Sequence, residues 1–529
     1  MSHSHCIHFI QTSVQSAPPQ ATLSRGTAAI GTTTRWNRLP REIQHYILGF
    51  LAHQCRRKHV YASVCQEWRT FMEDRTFHNL MACQHGLASL AQLSAQPRAA
   101  IHHLWFNMEL QGPVCHECFA ANTRQMPTIN GAVAQLMRLP EYYFYQLFST
   151  LSSWGCTERG LTLEFNAYSV GEQAHWLKNW FIGCPGESQR IPVLTIDPSH
   201  DWRTVALASV VSTIATCFRP IRLNNDMKLP LADAVTKFVI RRYYRNRFRP
   251  SDIARLVNAC PRLVHLHLET WAHNDAKFIT SRNSNIRQEY DLIANIHPST
   301  LRTLTAYEDF CVEHLLLASL FYSPRCVYVE QERWVDENSK QFAAKSLNLQ
   351  HLSISFVAIA EAFFSHCQSD WTWKSLQTVI LTTRQFINDL ASKAVSVFLQ
   401  DAAQIALRMP RLETIVLWNA RRKRRASSFT YHRTKMAATI AWCSTMDVEF
   451  DRYTVQAWEE VARKHGHPYL WLEKRRIEGE IISEGHAIRL LELPSLVIDP
   501  ESRQQIEQEY EVPNIPGVHQ TPVILPRLN

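Results

Sequence analysis

Apolar positions along this chain follow two rhythms. Early in the chain Ile43, Ile47 and Leu51 fall four residues apart and Leu48 and Phe50 widen the stripe, which predicts a helix with one buried face and a polar back at Gln44 and His45. Pro40 stands where that helix would begin, a position at which its missing N–H would be unpaired in any case. A second stripe, Ala62, Cys65, Trp68 and Phe71, steps by three and predicts a partner helix, prolonged by Phe77 and Leu80. Further on the period shortens to a strand-like one. Leu263, Leu266 and Leu268; Leu301 and Leu304; Leu349, Leu352 and Ile354; Leu376, Val379 and Leu381; and Leu412, Ile415 and Leu417 share the frame L-x-x-L-x-L or a close variant. Helical patterns precede these strands, most plainly at 251–257 and 394–407, and Pro-Arg-Leu joins helix to strand at 261–263 and 410–412. Residues 161–165, 193–196 and 238–240 predict further strands, separated by helices around 132–151 and 202–218.

These segments resemble leucine-rich repeat strands. Their leucines are 38, 48, 27 and 36 residues apart, longer and less even than that class uses, so the horseshoe should be irregular; a set of unrelated α/β domains is the alternative. A solenoid over 85–420 would line its concave face with the residues beside the leucines. His265, His267, Glu269, Thr303, Thr305, His351, Ser353, Gln377, Glu413 and Trp418 fall there, and polar and aromatic groups on rigid strands suit a protein or peptide partner.

The 45 residues from Trp36 resemble the F-box. Leu39-Pro40-x-Glu42-Ile43, then Ile47, then Leu51, then Val64-Cys65-x-x-Trp68-Arg69-x-Phe71 match that family's motif in order and spacing. The resemblance implies a three-helix module that docks on a Skp-type adaptor and tethers the chain to a cullin–RING ubiquitin ligase. It maps the adaptor contacts onto Leu39, Pro40, Ile43 and Ile47, with Leu51, Val64 and Trp68 completing the set. The linking segment 53–59 carries Arg56, Arg57 and Lys58, more basic than the family's usual loop.

Glycine changes the picture by its scarcity. There are 15 in 529 residues and none between Gly186 and Gly466. No GxGxxG, GxxxxGK[ST] or GxSxG occurs, which excludes the phosphate loops and nucleophile elbow that need glycine backbone. Repeat turns must then rely on Asn258, Asn274, Asn295, Asn348 and prolines.

Charge is mild: 56 Lys and Arg against 47 Asp and Glu leave +9, which argues against nucleic acid as the main partner. Two clusters stand out. The segment 241–249 holds five arginines, among them Arg245, Arg247 and Arg249 on one face of an extended chain, interleaved with Tyr243, Tyr244 and Phe248; guanidinium groups there would pair with an acidic or phosphorylated partner segment, or with nucleic acid. Arg421 to Arg425 is an unbroken run of cations and a nuclear-localisation candidate, with Ser427 as a basic-directed phosphosite.

Fourteen scattered cysteines point to a reducing compartment, cytoplasmic or nuclear. Cys115-His116-Glu117-Cys118 is half a zinc site without its second half, so no metal or other cofactor is expected. No stretch reads as a membrane span, and no nucleophile–base signature gives an active site of its own.

The fold expected is therefore an N-terminal three-helix F-box module (36–80) followed by an α/β leucine-rich-repeat-like solenoid (85–420) with a small α+β C-terminal closure (421–512). A disordered tail (1–35) and an extended one (513–529) flank them. Trp418-Asn419, Phe429-x-Tyr431, Trp442 and Trp458 resemble the end region of long F-box proteins of filamentous fungi, which brings no known activity. The function implied is substrate recognition for a Skp–cullin–F-box ligase, with an unidentified protein target on the solenoid. The alternative is an F-box scaffold or chromatin-associated protein using the arginine patch.

Overall fold

The computed structural model describes residues 7–9, 36, 39–54, 58–110, 129–156, 159–169, 221, 223, 227–242, 248–271, 293, 295–309, 324–386, 392–421, 425–446 and 449–508. The strands are β1 (Ile7–Phe9), β2 (Asn79–Ala82), β3 (His103–Leu110), β4 (Leu161–Ser169), β5 (Val235–Ile240), β6 (His265–Trp271), β7 (Thr303–Asp309), β8 (His351–Ser355), β9 (Thr378–Thr382), β10 (Thr414–Arg421), β11 (Arg425–Arg433), β12 (Ala438–Ser444) and β13 (Leu470–Arg476). All belong to one sheet, and each pairs with its neighbours in chain order. From β2 to β10 every pairing is parallel. A parallel neighbour that is also the next strand in sequence requires a return crossover each time, and repeating that step gives an α/β solenoid-like stack.

One apolar row shows why the strands stack in this register. Leu80, Leu104, Leu163, Phe238, Leu266, Leu304, Leu352, Val379 and Ile415 are successive partners across nine strands, and all are buried. Because side chains alternate between faces, a slip of one residue would turn the whole row to the other side. Helices supply the facing layer. In α6 (Ile129–Ser152) Phe144, Leu147, Phe148 and Leu151 are buried; in α7 (Pro250–Asn258), Ile253, Leu256 and Val257; in α10 (Ser392–Ala406), Val395, Phe398, Leu399, Ala402 and Ala406. These recur at helical spacing and merge with the strand leucines into one continuous core.

The first leucine of each frame ends the turn that feeds the strand. The N–H groups of Leu263, Leu349 and Leu412 bond to the carbonyls of Cys260, Ser346 and Met409, three residues back, at 3.1, 3.1 and 3.0 Å. Turns without glycine are tied together by side chains: Asn258 donates to the Asn295 carbonyl (2.7 Å) and accepts from the His297 N–H (2.8 Å) in the next repeat. Where the backbone does enter the left-handed region, just after β8, a phenylalanine occupies it. Phe356 has φ of 68°, an unfavourable conformation for a bulky residue. It is held by its N–H on the Thr382 hydroxyl (3.0 Å) and by ring contacts with Tyr307 and Trp418. Asn274 and the strand read at 193–196 lie outside the described residues, as does the helix read at 202–218.

Three expectations change. Ile7–Phe9, within the stretch read as a disordered tail, forms β1 antiparallel to β2. The region after 420 continues the solenoid's own sheet through β11, β12 and β13. Beyond β13, residues 477–508 return over the face of the sheet opposite the helices, with α12 (Glu484–Leu490) and α13 (Pro500–Gln508). There Ile477, Ile481, Ile488, Leu491, Val497, Ile498 and Ile506 pack with Tyr307, Phe356, Ile380, Val416 and Trp418 as a second core. The chemical reason is in the strands: Ile380, Val416 and Trp418 are apolar on the concave face, and water is a poor neighbour for them. Among the described residues, no helix is long and apolar enough to cross a membrane.

Asn258→Ala should lower stability by about 1 kcal/mol through its two lost turn bonds, and Leu304→Ala by about 2–5 kcal/mol through the cavity it leaves. Denaturant midpoints measure both, and equal losses would contradict this ranking.

Candidate functional site

Two regions of the molecule present groups that a partner could use. The first is the helical hairpin formed by α1 (Arg41–Gln54), α2 (Lys58–Ala62) and α3 (Gln66–Phe77). Its core is small: Leu48, Ala52 and Met72 are buried, with Trp36, Leu51, Tyr61, Trp68 and Phe71 packed against them. Trp68 lies 5.0 Å from Trp36 and 6.2 Å from Tyr61, ring to ring. The buried line of α1 runs through Gln44, Leu48 and Ala52, so Gln44 is inside and Ile43 outside, the reverse of the pattern read from the sequence. Gln44 is held there because its Nε2 donates to the carbonyls of Trp36 (2.9 Å) and Leu39 (3.0 Å), which fixes the chain entering the helix. Ile43 is 46 % exposed as a consequence, and Leu39, Tyr46, Phe50, Val60 and Val64 are exposed with it. Pro40 is also exposed, and Ile47 is half-buried. Six large apolar side chains are thus open to water within 26 residues of sequence.

The second region is the concave face of the sheet. Register places His103, Thr162, Lys237, His265, Thr303, His351, Thr378, Thr414 and His432 in one lateral row from β3 to β11. The row brings His265 and His351 together as the leucine frame required. His351 Nδ1 meets the Thr378 hydroxyl at 3.1 Å, and the Thr414 hydroxyl meets His432 Nδ1 at 2.9 Å. Burial, then Lys237 and His351 nearby, push the His265 pKa down. Burial also pushes His351 down, opposed by Glu413. Both imidazoles are thus neutral at neutral pH and act as hydrogen-bonding groups.

Farther along the strands the concave face is closed by the chain's own C-terminal segment. Glu269 is completely buried. It accepts from the backbone N–H of Arg242 (3.0 Å) and Asp499 (2.7 Å) and from the Ser502 hydroxyl, while His267 Nε2 lies 2.8 Å away. Burial pushes its pKa up, but the contacts from His267, Ser502 and Asp499 outweigh that and hold it below the usual range. Arg241 grips Glu164 with two nitrogens at 2.9 and 3.0 Å and reaches Asp499 (3.2 Å) and Glu501. Arg242 pairs with Asp309 and reaches Gln505 (3.3 Å). Burial raises the Asp499 pKa despite Arg241, and Glu269 and Glu164 add to the rise.

This network corrects several sequence expectations. The acidic segment that the arginine cluster meets is internal: Arg241 and Arg242 bind the protein's own carboxylates. Arg249 is buried, with Nε 2.9 Å from Asp252 at the start of α7, so its charge is used in packing. Arg245 and Arg247 lie outside the described residues. With three of its five arginines engaged internally, the cluster no longer offers the contiguous basic surface on which the nucleic-acid alternative rested. Trp418 is fully buried in the second core and 5.3 Å from the Phe356 ring, so it is unavailable to a target. His267 is turned to Glu269. Ser427 is fully buried on β11 and shares a 2.6 Å hydrogen bond with Ser444, which removes it as an accessible phosphosite. The Cys115–Cys118 run and residues 422–424 lie outside the described residues. Among the described residues, no group of three or more His, Cys, Asp or Glu is placed to hold a metal ion. The acids that complete the network, Asp499 and Glu501, had one signal in the sequence: an Asp-Pro-Glu-Ser helix start whose acids suit a helix N-terminus.

The model of a family of unknown function, DUF6546, matches residues 296–499, from the turn before β7 to the aspartate that meets Arg241. The matched span holds the second half of the solenoid and most of the segment that covers its concave face. Comparison with curated proteins found no match, and comparison with solved structures found none.

Glu269 has a folded pKa below the unfolded value of about 4.3. Its ionised form therefore adds stability that is complete above that value and lost as pH falls through the folded pKa. Glu269→Gln should destabilise the protein at pH 7 and flatten the loss of stability as pH falls below about 4.3. Chemical denaturation across that range measures it, and an acid limb as steep as the wild type's would contradict the assignment.

Proposed function

We propose that the chain is the substrate-recognition subunit of a Skp–cullin–F-box ubiquitin ligase. One observation carries the reading: Leu39, Pro40 and Ile43, three positions that the F-box resemblance maps to adaptor contacts, lie outward on the α1–α3 hairpin instead of in its core. A helical hairpin built only to support the solenoid would bury its apolar stripe, whereas a docking face keeps it open to a partner's groove. Val64, also exposed, and the half-buried Ile47 extend the patch, while Leu51 and Trp68 serve the hairpin's internal packing. On this reading the hairpin tethers and the solenoid selects. Catalysis belongs to the ligase's charged E2 enzyme, whose target lysine is brought near by proximity. The open polar row around His265 and His351 is then the part of the concave face left for a protein target.

Co-purification of the full chain with a Skp-type adaptor and a cullin tests this. Ile43→Asp, and the pair Leu39→Ala with Pro40→Ala, should each weaken adaptor capture at least about tenfold, or about 1.4 kcal/mol. The melting temperature should stay within a few degrees because these side chains are exposed. A wild-type chain that captures no adaptor would end the proposal.

A further inference from the structure

Cations stand at both ends of β5, and the chain treats them differently. Just past the strand Arg241 holds Glu164 and takes Asp499 (3.2 Å) and Glu501 from the C-terminal segment. Arg242 pairs with Asp309, and on the helix that follows Arg249 and Arg255 share Asp252. Each of these guanidinium groups has a carboxylate. Near the start of β5 Lys237 is exposed, and among the described residues it has no ion pair or hydrogen bond. Alternation puts Lys237 and Arg241 on one face of the chain, about 13 Å apart.

Lys237 has company across the strands. Register sets it between Thr162 on β4 and His265 on β6, and places His265 beside Thr303, with His351 one strand farther. Neighbouring strands lie about 4.8 Å apart, so the side chains of Lys237 and His265 can reach one carboxylate together. His265 is exposed and makes no hydrogen bond among the described residues, while His351 uses Nδ1 on the Thr378 hydroxyl and keeps Nε2 open. The charges bearing on His265 are those of Lys237 and His351, both of the same sign as a protonated ring, and Glu413 bears on His351. Arg302, beside Thr303, turns its Nη1 to the carbonyls of Ser299 and Leu301. Like charges directly opposite one another destabilise a sheet, and among the described residues no carboxylate meets either Lys237 or His265. An anion placed between the two offsets the repulsion.

We propose that the open row takes an acidic stretch of the protein target, an extended segment of Asp and Glu residues whose carboxylates meet Lys237 and His265, with His351 as a further donor. Lys237 supplies a charge-assisted bond and the imidazoles supply neutral N–H donors at neutral pH. The chain holds an internal example: Asp499-Pro500-Glu501 lies against Arg241 on the same face of the same strands. A nucleic-acid backbone asks for repeated cations, whereas the row from His103 to His432 contains a single lysine and no arginine. The inference rests on reading the open row as the part of the concave face that selects a target, and it names the chemistry selected.

Fluorescence anisotropy of the full chain with labelled Glu-Thr-Glu-Thr-Glu-Thr, against versions with Gln or Lys in place of Glu, tests it. At low salt the Glu peptide should bind at least about fivefold more tightly than the Gln peptide, with the Lys peptide weakest, and the advantage should shrink as salt rises. Lys237→Glu should remove the advantage and Lys237→Arg should keep it. Both change an exposed side chain, and Lys237→Gln should show the same loss if the reversal fails to fold. Binding of the Glu peptide should tighten as pH falls from about 7.5 to 5.5, because a bound anion favours the charged form of His265, and His265→Gln should flatten that gain. Equal binding of the Glu and Gln peptides, or an advantage that survives Lys237→Glu, would overturn the proposal. The adaptor takes no part in this titration. A chain that captures the adaptor but shows no preference for Glu loses this inference alone, and one that prefers Glu but captures no adaptor keeps it and loses the ligase reading.

Discussion

A parallel sheet built from strands that are apolar on both sides must be covered on both sides, and the architecture of this protein follows from that constraint. The described helices that return the chain between parallel strands cover one face as a by-product of the connectivity. The opposite face has no such supply. Where its residues are Lys237, His265 and His351 it can meet water; where they are Ile380, Val416 and Trp418 it cannot, and residues 477–508 return across the sheet to bury them.

Hydrophobic contact alone would let that covering segment slide. Its position is set by Glu269, which draws the Asp499 N–H and the Ser502 hydroxyl to a single buried carboxylate, and by Arg241, which links Asp499 to Glu164 on β4. Buried charges of this kind add little net stability against apolar replacements, but breaking one partner is costly and their geometry is specific. The network therefore serves as a register lock between the C-terminal segment and strands far away in sequence. Its effect is to leave the strand beginnings open and close the strand ends.

Much of the solenoid was legible. The L-x-x-L-x-L frames fall on β6 to β10, because alternation of side chains along a strand is a local property that a repeating leucine reports directly. The glycine gap was legible too: Asn258 ties one turn to the next as a turn-forming side chain should. The site was less so. Alternation identified which residues lie on the concave face, but it cannot say whether anything lies on top of them, and Trp418 was misplaced for that reason; Arg249 was read on an extended stretch and instead stands at the start of α7, paired with Asp252. In α1 the four-residue spacing was read correctly as a helix and wrongly as to its buried side, since Gln44 faces inward on the strength of two hydrogen bonds to Trp36 and Leu39 that no hydropathy pattern contains.

The sequence by itself determined the succession of helix and strand, the shared register of the leucine rows, and the exclusion of chemistry that needs glycine loops, because each depends on residues close together in the chain. Only the tertiary structure decided which charges are spent internally and which half of the concave face is open. Those outcomes join residues such as Arg241 and Asp499, 258 positions apart, and contacts over such distances are fixed by burial and charge pairing in three dimensions, not by any local pattern.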